Sequence, residues 1–222
     1  MRDEASYKFD QHGQAQYYPG NTVISFIHDD RFAVYRLAKQ VSQRFRESSI
    51  AHVYAFLPYD SFHMTVLKLC REIDRGTALW SPLLPNDASF TEIDRILQSI
   101  VAGIAKPEPI QMRVQACHSA SIRLEPATTA DAQRIADYRE RLAQATRIRH
   151  ADHDHYPFHL TFSYQLAAVL DAEQEAVVES ICSEYNKLIQ REPILFALPE
   201  PVFAIFNTML HYDTDLQTRI IK

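Results

Sequence analysis

Apolar and polar positions alternate along this chain in two distinguishable rhythms. "TVISFI" (Thr22–Ile27) follows the turn signal "YPGN" and is β-branched and aromatic, which predicts a strand. The next twenty residues, from Asp29, place Val34, Leu37, Ala38, Val41 and Phe45 on one helical face, with Asp29 and Asp30 well placed for the N-terminus. "IAHVYAFLP" and "FHMTVLKL" read as two further strands. Residues 70–88 hold Gly76, Pro82 and Pro85 and read as a connector. A helix then opens with the capping box Ser89-x-x-Glu92. "PIQMRVQACHSASIRLEP" predicts two strands turning near His118–Ala120, and "TTADAQRIADYRERLAQATRIR" a helix. "HADHDHYP" is a polar loop and "FHLTFSYQL" a strand. A helix capped by Asp171 with Gln174 at its third position follows. Two apolar strands, separated by Pro199 and Pro201, close the chain.

Strands often follow one another directly, which favours antiparallel pairing and an α+β fold over a doubly wound α/β one. A length of 222 residues suits one domain over 1–222, with residues 1–18 as a candidate flexible segment.

One pattern occurs twice. "SFHMTVLKL" (61–69) and "PFHLTFSYQL" (157–166) both contain Phe-His-(apolar)-Thr-(apolar). Shuffling this composition yields Phe-His-x-Thr about 0.03 times. No other histidine of the ten has threonine two places on. On a strand, His63 and Thr65 share one face and Met64 and Val66 the other; His159 and Thr161 likewise oppose Leu160 and Phe162. Strands laid side by side, or facing across a groove, would gather two imidazoles and two hydroxyls. One imidazole can take a proton while the other gives one, near cellular pH. The hydroxyls can donate to phosphate oxygens. In-line displacement at phosphorus follows, with no metal or other cofactor in the scheme.

Bulk properties narrow the partners. A net charge of −5 and a pI near 6.0 argue against a nucleic-acid coat but not against a small nucleotide in a polar cleft. The four glycines form no GxGxxG or phosphate loop. Three cysteines, Cys70, Cys117 and Cys182, lie far apart without a CxxC, as expected for free thiols in a reducing compartment. No secretory signal or membrane-length apolar run is read, so a cytoplasmic protein is expected.

The paired His-x-Thr motifs resemble the two-histidine (2H) phosphoesterase superfamily and its LigT-like cyclic phosphodiesterases. The N-terminal "YYPGNTVISFI" and the wide motif spacing resemble a bacterial branch apart from the best-known members. The resemblance implies a bilobal fold with pseudo-two-fold symmetry. Two mainly antiparallel sheets would flank a central groove, with helices outside. It implies His63 and His159 as acid and base, and Thr65 and Thr161 as phosphate ligands. The substrate implied is a 2′,3′-cyclic or 2′,5′-linked nucleotide or an RNA end, with no extended duplex and no membrane. Which histidine is acid is left open.

Other candidates compete. Tyr156, at the loop end of its strand, could close over a ligand. Tyr164 could stack on a base, but strict alternation turns it away from His159 unless a bulge intervenes. Alternation likewise turns Lys68 away from His63. Arg123 could face the groove or form a surface ion pair. His150, Asp152, His153, Asp154, His155 and His159 raise a metal site, read here as a solvated loop in preference. Cys117 beside His118 is a weak nucleophile candidate. Two alternatives therefore stand beside the phosphoesterase: a non-catalytic nucleotide-binding module, and a metal hydrolase on the 150–159 cluster.

Overall fold

The computed structural model describes residues 5–220. Among these residues, ten strands and five α-helices make an α+β arrangement in which strands repeatedly follow one another directly. Eight strands form one curled antiparallel sheet. One half comprises β1 (Gly20–Phe26), β3 (His63–Arg71), β9 (Val202–Thr208) and β10 (His211–Asp213), in the order β10-β9-β1-β3. The other comprises β4 (Gln111–Cys117), β5 (Ser121–Pro126), β6 (His159–Thr161) and β8 (Leu195–Ala197), in the order β6-β5-β4-β8. The halves meet where Met64 of β3 pairs with Leu160 of β6. A second small sheet joins β2 (Tyr54–Phe56) to β7 (Ser163–Gln165).

The helices follow from their apolar stripes and caps. Helix α1 is the single turn Ala5–Lys8, and α2 spans Ala33–Arg46, burying the stripe read from sequence. Its N-cap is Phe32 rather than either aspartate, because Asp29 folds back to accept from the amide of Arg31 (2.8 Å). Helices α3 (Phe90–Ala102) and α5 (Ala172–Arg191) begin at the Ser89–Glu92 and Asp171–Gln174 capping boxes. Helix α4 (Thr129–Thr146) starts at Thr128 and stops where Arg147 turns left-handed, φ +57°.

Three departures from the sequence reading matter for the site. Only residues 54–56 of "IAHVYAFLP" are strand, because 51–53 coil into a short 3-10 turn. The single strand expected over "FHLTFSYQL" is two, β6 in the main sheet and β7 in the small one. The loop expected to be solvated buries His150 and His153, while Asp154 and His155 stay exposed. No described helix is long and apolar enough to cross a membrane.

Candidate active site

The Met64–Leu160 pair fixes the geometry of the site. Each residue is the middle of its His-x-Thr motif and is fully buried. Continuing that antiparallel register one residue each way sets His63 opposite Thr161 and Thr65 opposite His159. Opposed residues in such a sheet have Cβ atoms about 4.5–5.5 Å apart. Two imidazoles and two hydroxyls therefore occupy one face as the corners of a diagonal pattern. All four line a cavity of about 220 Å³.

Both imidazoles are held the same way. His63 Nδ1 lies 2.7 Å from the carbonyl oxygen of Ser61, and His159 Nδ1 lies 2.5 Å from that of Pro157. In each case the acceptor is the residue two places upstream. A carbonyl can only accept, so each Nδ1 carries a proton and donates, and each Nε2 is left for the cavity. Burial pushes the His63 imidazole down from its ordinary value to about 4, against a smaller upward pull from the Ser61 carbonyl. His159 is also pushed down, first by burial and then by the charges of Arg123, Lys68 and Lys8, with the Pro157 carbonyl opposing. Both side chains therefore rest neutral at pH 7.

The strands leave strict alternation immediately after the threonines. In β3, Val23 pairs with Leu67 but Ile24 with Thr65, so β3 carries one extra residue; a second enters between Lys68 and Arg71. These bulges bring Lys68 to the cavity face, against the alternation argument, and Arg71 with it. The second motif changes phase by another route. After Thr161 the chain leaves the main sheet, buries Phe162 and Ser163 in succession, and presents Tyr164 to the cavity. Lys68 and Tyr164 stand five residues after their histidines, and both are turned in.

Aromatic rings form much of the remaining wall. Tyr212 packs on the His63 ring, centroids 4.2 Å apart. Tyr164 and Tyr212 both donate their hydroxyls to Met209 Sδ, each at 3.6 Å. Tyr156 lies 6.0 Å from the His159 ring and lines the cavity beside Thr65. Burial raises the Tyr156 phenol to about 12 and raises that of Tyr212, so both remain phenols at neutral pH. Tyr212 had no signal in the sequence, because β10 is three residues long and follows two residues after β9.

The histidine-rich run is distributed rather than gathered. His150 Nε2 faces the Lys68 carbonyl (3.2 Å), Asp152 holds Lys68 Nζ (3.0 Å), His153 faces Glu140 (3.3 Å), and Asp154 pairs with Arg149 (2.7 Å). Among the described residues, no group of three or more His, Cys, Asp or Glu is placed to hold a metal ion. Of the histidines and aspartates in that run, Asp152 and His159 line the cavity and the others do not. Arg123 pairs in register with His159 and so shares its face. Cys117 is buried with its Sγ donating to the His118 carbonyl (3.7 Å), and the neighbouring Cys182 together with burial pushes its thiol up.

A family model described as 2H-phosphodiesterase, domain of unknown function DUF1868, matches residues 8–123, just over half of the chain and including the first motif. The chain belongs to the 2H-phosphodiesterase family. The crystal structure of the conserved protein of unknown function ATU0111 from Agrobacterium tumefaciens is similar over 96% of this chain and 91% of that one. The TM-score is 0.81 and the identity 24%. Its likeness shows that the two proteins share a fold. Escherichia coli LigT complexed with 3′-AMP matches more loosely, at TM-score 0.45 and 12% identity over 84% of this chain and 88% of LigT. TT0787 of Thermus thermophilus matches at TM-score 0.41 and 14% identity, over 84% and 86%. No curated protein sequence matches the chain.

Proposed function

We propose that the protein is a phosphoesterase that opens a 2′,3′-cyclic or 2′,5′-linked phosphodiester of a nucleotide or RNA end, with His63 and His159 as its proton carriers. Membership of the 2H-phosphodiesterase family supports phosphoester chemistry in general. The observation that carries the specific reading is the matched anchoring of the two imidazoles, each with Nδ1 on a carbonyl two residues upstream and Nε2 free for the cavity.

The step uses only groups of the chain, the substrate and water. One neutral Nε2 takes a proton from water as its oxygen bonds to phosphorus. The bond from phosphorus to the departing ribose oxygen breaks, and the other histidine, protonated at Nε2, gives that oxygen its proton. Thr65 and Thr161 donate to the non-bridging oxygens, where charge builds up. Burial makes each histidine a reluctant cation, and an incoming phosphate anion favours protonating one of them. Lys68 adds a positive charge at the cavity wall. A neutral and a charged imidazole can therefore coexist once substrate is present.

The test is turnover of 2′,3′-cyclic nucleotides and of a 2′,5′-linked dinucleotide in excess EDTA. Turnover that is lost in His63→Ala and in His159→Ala is the expected result. Turnover that survives either substitution rules out the paired mechanism. Ligand binding without turnover would move the protein to the binding-module reading. Activity abolished by EDTA would return attention to the 150–159 residues, which the fold disperses.

A further inference from the structure

The two motif strands supply only part of the cavity wall; the chain ahead of β1 supplies another. Phe9 is 2% exposed, and its ring packs on Tyr164 with centroids 5.3 Å apart. A bridge between Phe9 and Ala15, with a turn at Gly13 (φ +76°), folds this segment into a small hairpin. The turn is close against the small sheet: a Cβ at Gly13 would lie 3.3 Å from Leu166 Cδ1 and 3.7 Å from Ala55 Cβ. The other end is fixed by Tyr18. Its amide donates to the Asn207 carbonyl (2.8 Å), its ring stacks on Phe206 (6.3 Å), and its hydroxyl accepts from Arg71 Nη1 (3.0 Å). Anchored at both ends, the segment runs as a strap from the small sheet to β9.

Lys8 is carried on this strap. Its ammonium lies 4.7 Å from the centre of the Tyr164 ring and 5.9 Å from that of Tyr18. Lys8, Tyr18 and Tyr164 line the same cavity as His63 and His159. We infer that the strap is a specificity element. Lys8 and Tyr18 contact the part of the substrate beyond the reacting phosphate, and they close that side of the cavity to a continuing polynucleotide. The favoured substrate is then a free molecule of mononucleotide size rather than the end of an RNA chain.

This inference rests on the phosphoesterase reading and narrows its substrate. One further observation agrees with it. The net charge of −5 offers no long-range attraction for a polyanion, whereas the few cations at the wall, Lys8, Lys68 and Arg71, suit a small anion. The strap is held by buried aromatic anchors, so it needs no ligand to take its place.

The experiment compares adenosine 2′,3′-cyclic phosphate with a trinucleotide ending in a 2′,3′-cyclic phosphate. It uses the wild type, Lys8→Ala and Phe9→Ala, with a thermal melt to confirm that each variant is folded. Wild-type kcat/KM is expected to favour the mononucleotide by about tenfold or more, and both variants to narrow that ratio, Lys8→Ala mainly through KM. Equal kcat/KM in the wild type, or a ratio that neither variant moves, overturns the inference while leaving the histidine chemistry intact. Calorimetric binding of 2′-AMP and of the trinucleotide 2′-phosphate gives a readout independent of turnover. A preference for 2′-AMP that collapses in Lys8→Ala supports the strap even if the chemistry fails, and equal affinities overturn it.

Discussion

The two His-x-Thr strands reach the same arrangement by different means. In β3 the chain stays in the main sheet, and two bulges against β1 absorb the extra residues. In the second motif the chain leaves the main sheet after Thr161 and continues as β7 beside β2. From the histidine onward both nevertheless run half-buried, buried, half-buried, buried, buried, half-buried. Position by position, His63 matches His159, Thr65 matches Thr161, and Lys68 matches Tyr164. What the motifs share is therefore a phase and not a strand. The bulge and the sheet change are two solutions to one requirement, that a third side chain face the cavity beyond the threonine. The comparison also isolates the one functional difference along the strands, a cation at one end and an aromatic ring at the other.

The largest expected effects test the equivalence of the two halves. His63→Ala and His159→Ala should each lower kcat by about 10²–10⁴, with the fold retained by circular dichroism. Losses within tenfold of each other would uphold the equivalence, and one histidine proving dispensable would break it. Thr65→Val and Thr161→Val should each cost about 10² in kcat if they hold the developing charge. A rise in KM alone would assign them to ground-state binding.

The fifth positions should separate. Lys68→Gln is expected to raise KM for an anionic substrate about tenfold, the scale of one charge-assisted contact. Tyr164→Phe should change KM by less than about twofold, because the hydroxyl it removes is engaged by Met209 and the ring remains. Equal effects at the two positions would contradict the difference drawn here. The smallest effect is on pH dependence. Both imidazoles are pushed below their ordinary value, so the state with one charged and one neutral histidine peaks between two depressed values. The kcat/KM profile should then be a bell centred on the acid side of about 6.5, and a maximum above neutrality would count against it. Stability carries the same sign. The native state resists protonating His63, so this contribution is whole above the unfolded value near 6.5 and is lost as pH falls towards about 4. Urea melts across that window should show less slope in His63→Ala.

Much of this was legible in the chain because it depends on neighbours in sequence. The capping boxes of α3 and α5 and the β4–β5 hairpin are local chemistry and stand as read. The shared face of each His-x-Thr pair needed only a two-residue period. Alternation fails at Lys68 because a bulge belongs to a pair of strands, and the register against β1 is not written in β3 alone. A trace does exist: Val66–Leu67 and Leu69–Cys70 are apolar doublets where alternation calls for single residues. Phe162–Ser163 carries no such mark. Tyr212 and the strap came from long-range packing, and the burial of His150 and His153 from the fold of α4 against β3.

The Met64–Leu160 contact has a consequence for direction. Two His-x-Thr motifs paired antiparallel at their middle residues make a dyad, and a dyad of histidines and threonines is blind to which way a phosphodiester is threaded. Turned end for end, the substrate would meet the same four groups, with acid and base exchanged. Lys68 and Tyr164 do not exchange, because one attracts charge and the other a flat ring. In the proposed reaction, polarity would then rest on the side chains that break the dyad, Lys68 and Tyr164 on the motif segments and Lys8 and Tyr18 on the strap, and not on the four that match.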